Sequence, residues 1–517
     1  MNYFISGMLY YRLSGIEIVE VKRLKLFKQH QVACKIATLK YNNYMHVNLP
    51  VYDLQDADVV NLYDYFQQAE KVTEPAKVIT DLNVDKSFTQ EQPDEITFIF
   101  KQADVQRLEI KVFAAEEFGH TFVKNQVRSI NYFDRFEHKI RCETFDTRGF
   151  LSLSQTFGQN GGINQEIFYT PSGERAIICD YAQNDEQQVA MSSVRVNYQN
   201  HWYVFSDLIE LRSFFLDCLN QEAQLQAKFF SDKSNIGDAA MLGMKTKAVK
   251  IVVRHSTHTY DPTAPLTSRL NDVILNQFNN RQSLSAAIVS TAQQTKDMQI
   301  RFNHELPFYT IPVAYVDNAL LQKAPVLLKQ RKRHTILAVA RINEEKRIEQ
   351  MIDALSEVRK TVADATLEIY GYVPNSTYLK TLQEKAAALQ LTNAVLFQQF
   401  QPDLTDVYNE MPILILTSAF ESFNMSLLEG IAHGVVPIAY DINYGPATII
   451  DNEKNGYLIK NGDSHALAEK IVNLLTDDAL LQQMSTQAYR KAAEFAADHV
   501  WQLWQEKIIN NSELKAK

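Results

Sequence analysis

The sequence predicts an α/β protein of two parallel-sheet units, the first of them interrupted by an antiparallel β insertion. Three observations predict it. Short β-branched runs alternate with longer helical segments through the C-terminal part, a shorter copy of that rhythm opens the chain, and period-two runs fill residues 41–205 between them. At 517 residues the chain exceeds what one hydrophobic core supports, so several domains are expected.

In chain order, the first copy begins with a strand at 2–5, a helix at 14–30 and a strand at 33–39. From about Tyr41 the alternation stops and period-two runs take over at 95–101, 108–113, 165–169 and 175–181. Pro171-Ser172-Gly173 between the last two reads as a hairpin turn. A helix at 207–219 and a strand at 249–253 resume the α/β rhythm. The C-terminal copy is the clearest, with strands at 334–340, 365–370, 394–397, 413–417 and 435–439. Helices at 345–362, 375–388, 425–433 and 463–475 lie between or after them and are long enough for right-handed crossovers, which makes the unit Rossmann-like. The expected domains are therefore 1–40 with 206–320, an insertion at 41–205, a second Rossmann-like unit at 321–495 and a helix with a tail at 496–517, the tail fraying from Asn510.

Composition narrows the class. With 46% hydrophobic and 22% charged residues the chain is globular rather than disordered. Residues 1–13 lack the basic start and apolar run of an export signal, and no stretch reaches the roughly 18 apolar residues of a membrane span, so a cytoplasmic protein is expected. Cys34, Cys142, Cys179 and Cys218 are scattered singly and read as reduced packing residues. A net charge of -9 argues against a general nucleic-acid binder. Lys329, Arg331, Lys332, Arg333 and His334 form a local basic run, followed by Arg341, Lys346 and Arg347; it reads as a solvated linker turn or as an anion-docking patch.

The segment richest in chemistry runs from Thr417 to Gly430, following a buried strand and opening a helix. Ligands of open α/β sheets bind at the carboxyl ends of strands, where helix N-termini offer free N–H groups to anions. A diphosphate belongs there. Glu421 falls in the turn and Glu429 about two helical turns on, placing one acid toward a sugar and the other toward a ribose. Two catalytic carboxylates of a glycoside hydrolase stand about 5 to 9.5 Å apart, whereas eight helical residues span about 12 Å, so hydrolysis is discounted. An ordinary amphipathic helix carrying two exposed glutamates is the plain alternative.

Glu421, seven residues and Glu429 at a strand-to-helix junction resemble the signature of retaining GT-B glycosyltransferases of family 4. Val339-Ala340-Arg341-Ile342 with Glu345-Lys346 is similar to that family's diphosphate-binding Arg and Lys, and Leu367-Glu368-Ile369-Tyr370-Gly371 to its nucleotide-site strand and turn. Tyr440-Asp441-Ile442-Asn443-Tyr444-Gly445-Pro446 and Asn455-Gly456-Tyr457-Leu458 resemble a narrower branch, the bacterial wall teichoic acid α-glycosyltransferases and the enzymes that glycosylate serine-rich surface adhesins. Ser14-Gly15-Ile16-Glu17 with Lys22-Arg23-Leu24 is closer to the adhesin-modifying members. The resemblance implies a GT-B fold, two Rossmann-like domains facing a cleft, with the β-rich insertion of the N-terminal one serving oligomerisation or acceptor contact. The chain departs from many relatives in having Ser422 and Asn424 where glycines follow the first glutamate, and Val373 in place of the second glycine of a Tyr-Gly-x-Gly turn.

The same resemblance implies residue roles. Arg341 and Lys346 neutralise the leaving β-phosphate, aided by the helix N-terminus near Met425. Glu421 meets the donor sugar, Glu429 the ribose, and Tyr370, Gly371, Ser422, Phe423, Asn424, Met425, Ser426 and Tyr444 line the donor site. His255 and His258, an H-x-x-H pair too sparse for zinc, contact sugar or phosphate, with His258 on the acceptor side. Gly15 and Glu17 approach the acceptor. Asp56 and Asp58, the one Asp-x-Asp resembling a metal motif, read as a surface turn, so neither metal nor cofactor is expected beyond the UDP-sugar substrate. The implied reaction is retaining transfer of glucose or GlcNAc from its UDP conjugate to serine hydroxyls of a serine-rich protein; a poly(glycerol or ribitol phosphate) teichoic acid is the competing acceptor. A catalytically silent binding or chaperone subunit is the reading from a different class. The expected partners are a homo-oligomer through the insertion and no nucleic acid, with peripheral contact to a membrane compatible.

Overall fold

The computed structural model describes residues 1–72, 75–184 and 188–517. The chain divides into two compact units, residues 1–250 with 516–517, and residues 251–515.

In the first unit, strand Asn2–Ser6 lies between Lys228–Ser231 and Cys34–Thr38, all parallel, and Val59–Asn61 adds in parallel beyond Cys34–Thr38. Every residue of Asn2–Ser6 is buried, with the Phe4 ring between Phe27 and Phe230. Helix Gly15–Gln29 makes the first crossover. The parallel sheet thus runs past the point at which the pattern stops, because Val59–Asn61 is too short to show a period. Among the described residues, ten of the strands from Thr89–Asp94 to His201–Phe205 form one antiparallel sheet, and Glu116–Glu117 pairs separately with His120–Thr121. The hairpin between Ile163–Tyr169 and Arg175–Gln183 closes where expected, Gly173 taking a φ of +87° that a side chain resists. Helix Leu208–Glu222 starts on Asp207, whose carboxylate caps the amides of Ile209 and Glu210.

In the second unit, residues 251–253 of strand Val249–Val253 pair in parallel with Ala286–Val289, which pairs in parallel with Phe308–Thr310. A separate six-stranded parallel sheet has the order Val395–Gln398, Thr366–Tyr370, Thr335–Val339, Ile413–Leu416, Val436–Asp441, Tyr457–Lys460. Five of these strands match the alternation; Tyr457–Lys460 is the addition. The chain builds outward from Thr335–Val339 on one side and then returns to build outward on the other. The switch point therefore lies between Thr335–Val339 and Ile413–Leu416, where open α/β sheets hold ligands. Asn375 and Asp463 cap the helices Ser376–Ala388 and Ser464–Thr476.

The basic run is a solvated turn at Lys329, Lys332 and Arg333, which are exposed, and departs from that reading at Arg331. Arg331 is 7% exposed and donates to the carbonyls of Tyr408, Met411 and His433, while Lys332 pairs with Glu410, Arg333 with Asp478 and His334 with Asp364. The C-terminus does not fray either. Lys517 exchanges backbone hydrogen bonds with Ala248, and Ser285 donates to the Lys515 carbonyl. All four cysteines are free thiols. Among the described residues no helix is long and apolar enough to cross a membrane.

Candidate functional site

The carboxyl ends of the two switch-point strands carry the cluster. Leaving Thr335–Val339, the chain passes Ala340 and Arg341, then makes a short turn at Glu344–Lys346 before helix Ile348–Val358. Leaving Ile413–Leu416, buried Thr417 donates its hydroxyl to the carbonyls of Lys346 and Arg347, and the Ala419 amide donates to the Glu345 carbonyl. These bonds fasten the two strand ends together. Lys346 Nζ then reaches Glu421 Oε1 at 2.8 Å, and Ser418 Oγ donates to the same oxygen at 2.8 Å. Arg341 donates to Glu345 at 2.7 Å, and Glu345 lies 3.5 Å from Lys346. Arg341, Glu345, Lys346 and Glu421 so form a chain of alternating charge. The Arg341 side chain is 61% exposed, those of Lys346 and Glu421 13% and 15%.

Gly371 makes this arrangement possible. A Cβ there would stand 1.8 Å from the Ala340 carbonyl oxygen, so only glycine lets the end of Thr366–Tyr370 pass the residue before Arg341. Tyr370 itself is buried, its hydroxyl donating to Glu368 at 3.0 Å and its pKa pushed up to about 12 by burial and Glu368.

Helix Met425–Ala432 begins on Asn424, which adopts φ +77° and caps the Leu427 amide. Asparagine tolerates this left-handed conformation better than most side chains, which explains how it replaces a glycine. Ser422, the other departure, donates to the His255 carbonyl at 2.8 Å. Ser426 donates to the Val339 carbonyl, joining helix start to switch-point strand. Phe423 is a core residue packed edge-on to Phe495, and Met425 packs against the same core. Glu429 accepts from the Tyr408 hydroxyl at 3.1 Å, and burial together with Glu429 raises the Tyr408 pKa well above the ordinary value.

Tyr444 is 4% exposed and donates to Asp297 at 2.9 Å, with His258 Nδ1 3.4 Å away. His258 is fully buried, its Nε2 3.0 Å from the Pro265 carbonyl, and burial lowers its pKa. Its ring is thus enclosed rather than open to an acceptor, because both nitrogens are occupied. In the first unit Gly15 opens helix Gly15–Gln29 behind the Ser14 cap, and buried Glu17 accepts from the Ser14 amide and pairs with Lys233. Asp56 pairs with His46 and Asp58 with Lys28. Among the described residues no group of three or more His, Cys, Asp or Glu side chains is disposed to hold a metal ion. Sequence reasoning placed Thr417 and Ser418 in its richest segment without a role and missed Tyr408 and Asp297, whose importance comes from partners distant along the chain.

Residues 322–491, which contain the switch point and the Glu421 cluster, match the family model of glycosyl transferases group 1. The chain is 25% identical over 528 residues to the UDP-N-acetylglucosamine–peptide N-acetylglucosaminyltransferase GtfA subunit of Streptococcus agalactiae, spanning 96% of this chain and 97% of that protein. It is 21% identical over 399 residues to the poly(glycerol-phosphate) alpha-glucosyltransferase of Bacillus subtilis strain 168, spanning 74% of this chain and 57% of that one. The crystal structure of the pneumococcal O-GlcNAc transferase GtfA in complex with UDP and GlcNAc superposes with a TM-score of 0.75 at 20% identity, over 98% of each chain. Residues 322–491 form a group 1 glycosyltransferase domain, and the chain as a whole is a glycosyltransferase of the GT-B fold.

Proposed function

We propose that this glycosyltransferase moves a hexose, GlcNAc or glucose, from its UDP conjugate to serine hydroxyls of a serine-rich protein, with retention of configuration and without a metal. The observation that carries the reading is the charge chain Arg341–Glu345–Lys346–Glu421 at the sheet's switch point, beside a capped helix N-terminus. Transfer breaks the bond between the sugar C1 and the β-phosphate oxygen, and negative charge grows on that phosphate. Arg341, Lys346 and the first amides of Met425–Ala432 supply the opposing charge. The acceptor hydroxyl oxygen bonds to C1 on the face the phosphate leaves, and the phosphate takes its proton. Glu421 orients the hexose and Glu429 the ribose. His258 and Tyr444 stand behind the donor site.

GlcNAc and a peptide acceptor follow the GtfA relative, whose match spans nearly the whole of both chains. The poly(glycerol-phosphate) enzyme supports a teichoic acid acceptor instead, over a smaller share of its own length. In this reading the insertion at 41–205 contacts the acceptor or a second subunit, homologous or not, since the relative is itself named a subunit.

Incubation with labelled UDP-GlcNAc and UDP-glucose, a serine-rich polypeptide and poly(glycerol phosphate) tests the assignment. Label on the polypeptide supports it. Label on the polyphosphate alone, suppressed by salt, favours the second acceptor, and no transfer from either donor contradicts the function.

A further inference from the structure

The loop that presents Glu421 is held by a second loop rather than by its own helix. The Glu421 amide donates to the Asn443 carbonyl at 3.1 Å, and the Tyr444 amide donates back to the Glu421 carbonyl at 2.5 Å, forming an isolated parallel bridge. Whatever fixes Tyr444 therefore fixes the peptide from which the Glu421 carboxylate projects.

The Tyr444 side chain stacks on His258 and is anchored by its hydroxyl. Its proton goes to Asp297 Oδ2 at 2.9 Å, and Asp297 Oδ1 accepts from the Gln293 amide at 2.8 Å. Asp297 sits on helix Ala292–Arg301 and is 4% exposed, so its carboxylate has little water to fall back on. Buried neutral His258, donating from Nε2 to the Pro265 carbonyl, presents Nδ1 as a weaker second acceptor at 3.4 Å. Two further bonds run in parallel, from the Asn443 amide group to the Pro262 carbonyl at 2.7 Å and from Ser422 to the His255 carbonyl at 2.8 Å. Gly445 allows the close passage: a Cβ there would stand 1.9 Å from the Phe423 carbonyl oxygen.

We propose that Asp297 is a positioning residue for Glu421, acting through the Tyr444 hydroxyl and the Glu421–Tyr444 backbone bridge. Asp297 does not reach the reacting atoms. A buried carboxylate is a strong, directional acceptor for a phenol, and losing that anchor frees the bridge to shift. Displacement of a sugar-orienting group by about 1 Å can cost about 100-fold in rate while leaving binding of the remote nucleotide intact. The diphosphate is assigned to Arg341, which shares none of these bonds, and to Lys346, which meets the linkage only through its ion pair with the Glu421 carboxylate.

The inference rests on the assignment of Glu421 to the transfer site. Its test measures UDP release from UDP-GlcNAc and UDP-glucose in the presence of a serine-rich polypeptide or poly(glycerol phosphate), and UDP affinity by calorimetry, for the full chain and for Glu421→Ala, Asp297→Ala, Asp297→Asn and Tyr444→Phe. Asp297→Ala and Tyr444→Phe should lower kcat by about ten- to 100-fold with KM for the donor and UDP affinity within about twofold. Asp297→Asn, which keeps an acceptor oxygen for the phenol, should recover part of the rate. The Asp297→Ala/Tyr444→Phe double variant should be no slower than the slower single variant, because one linkage is cut in both. Tyr444→Phe removes no volume and serves should Asp297→Ala fold poorly. Turnover by the unaltered chain that falls in Glu421→Ala but stays normal in Tyr444→Phe, or in folded Asp297→Ala, overturns the inference alone. Normal turnover by folded Glu421→Ala, or none by the unaltered chain, overturns the functional reading and the inference together.

Discussion

Lys346 Nζ and Glu421 Oε1 are 2.8 Å apart although 75 residues separate them in the chain. The pair closes the carboxyl ends of two neighbouring strands, Thr335–Val339 and Ile413–Leu416, around the point where the sheet reverses its order. Lys346 is thus balanced by Glu421, and Arg341 by Glu345 in the same way.

Removing the outer cation should weaken nucleotide binding. Arg341→Ala should lower UDP affinity by about tenfold in calorimetry, the scale of one charge-assisted contact to phosphate. The effect should shrink as salt rises, since Arg341 is exposed. Unchanged affinity contradicts its assignment.

Gly371 should not accept a methyl group. The Cβ of Gly371→Ala would meet the Ala340 carbonyl at 1.8 Å, and relief requires the backbone before Arg341 to move. A loss of about 1 to 3 kcal/mol in denaturant unfolding, with weaker UDP binding, is expected; a variant as stable as the parent contradicts the close approach.

Asn424 does two tasks, a left-handed φ and a helix cap, and substitutions separate them. Asn424→Gly keeps the conformation and should cost a few tenths of a kcal/mol, whereas Asn424→Ala loses both and should cost about 1 kcal/mol or more. Equal losses in thermal unfolding contradict the assignment of the strain to φ.

The first unit holds a pH-dependent contact at His46. Burial pulls its pKa down, but hydrogen bonds to Asp56 and Asp64 outweigh burial and hold it at about 9. Because the folded value lies above the unfolded one near 6.5, the stabilisation is complete below about pH 6.5 and is lost as pH rises through about 9. Urea midpoints of the parent should therefore fall over that window more steeply than those of His46→Gln; parallel curves contradict the linkage.

How much of this was legible in the sequence depends on whether a contact is local. Glu421 follows a buried strand and opens a helix, so the α/β rhythm placed it at a strand's carboxyl end, whereas Arg341, Lys346 and Gly371 were marked by the family resemblance. Asn424 and Ser422 stood out as departures, but their roles needed φ and a partner carbonyl. Asp297 is 147 residues from Tyr444 and sits on a helix with no distinguishing pattern, so nothing linear marks it. The basic run misled for a related reason: a string of charges does not show that Arg331 turns inward to three carbonyls. Val59–Asn61, three residues long, carries no period to detect.

The central claim is that Glu421 acts on the transferred sugar and not on the fold or the nucleotide. Its most direct test is the rate of sugar transfer by Glu421→Gln, which keeps the shape and an acceptor oxygen but removes the charge, alongside its affinity for UDP. Transfer should fall by about 100-fold or more while UDP affinity stays within about threefold. Near-normal transfer by the folded variant contradicts the account.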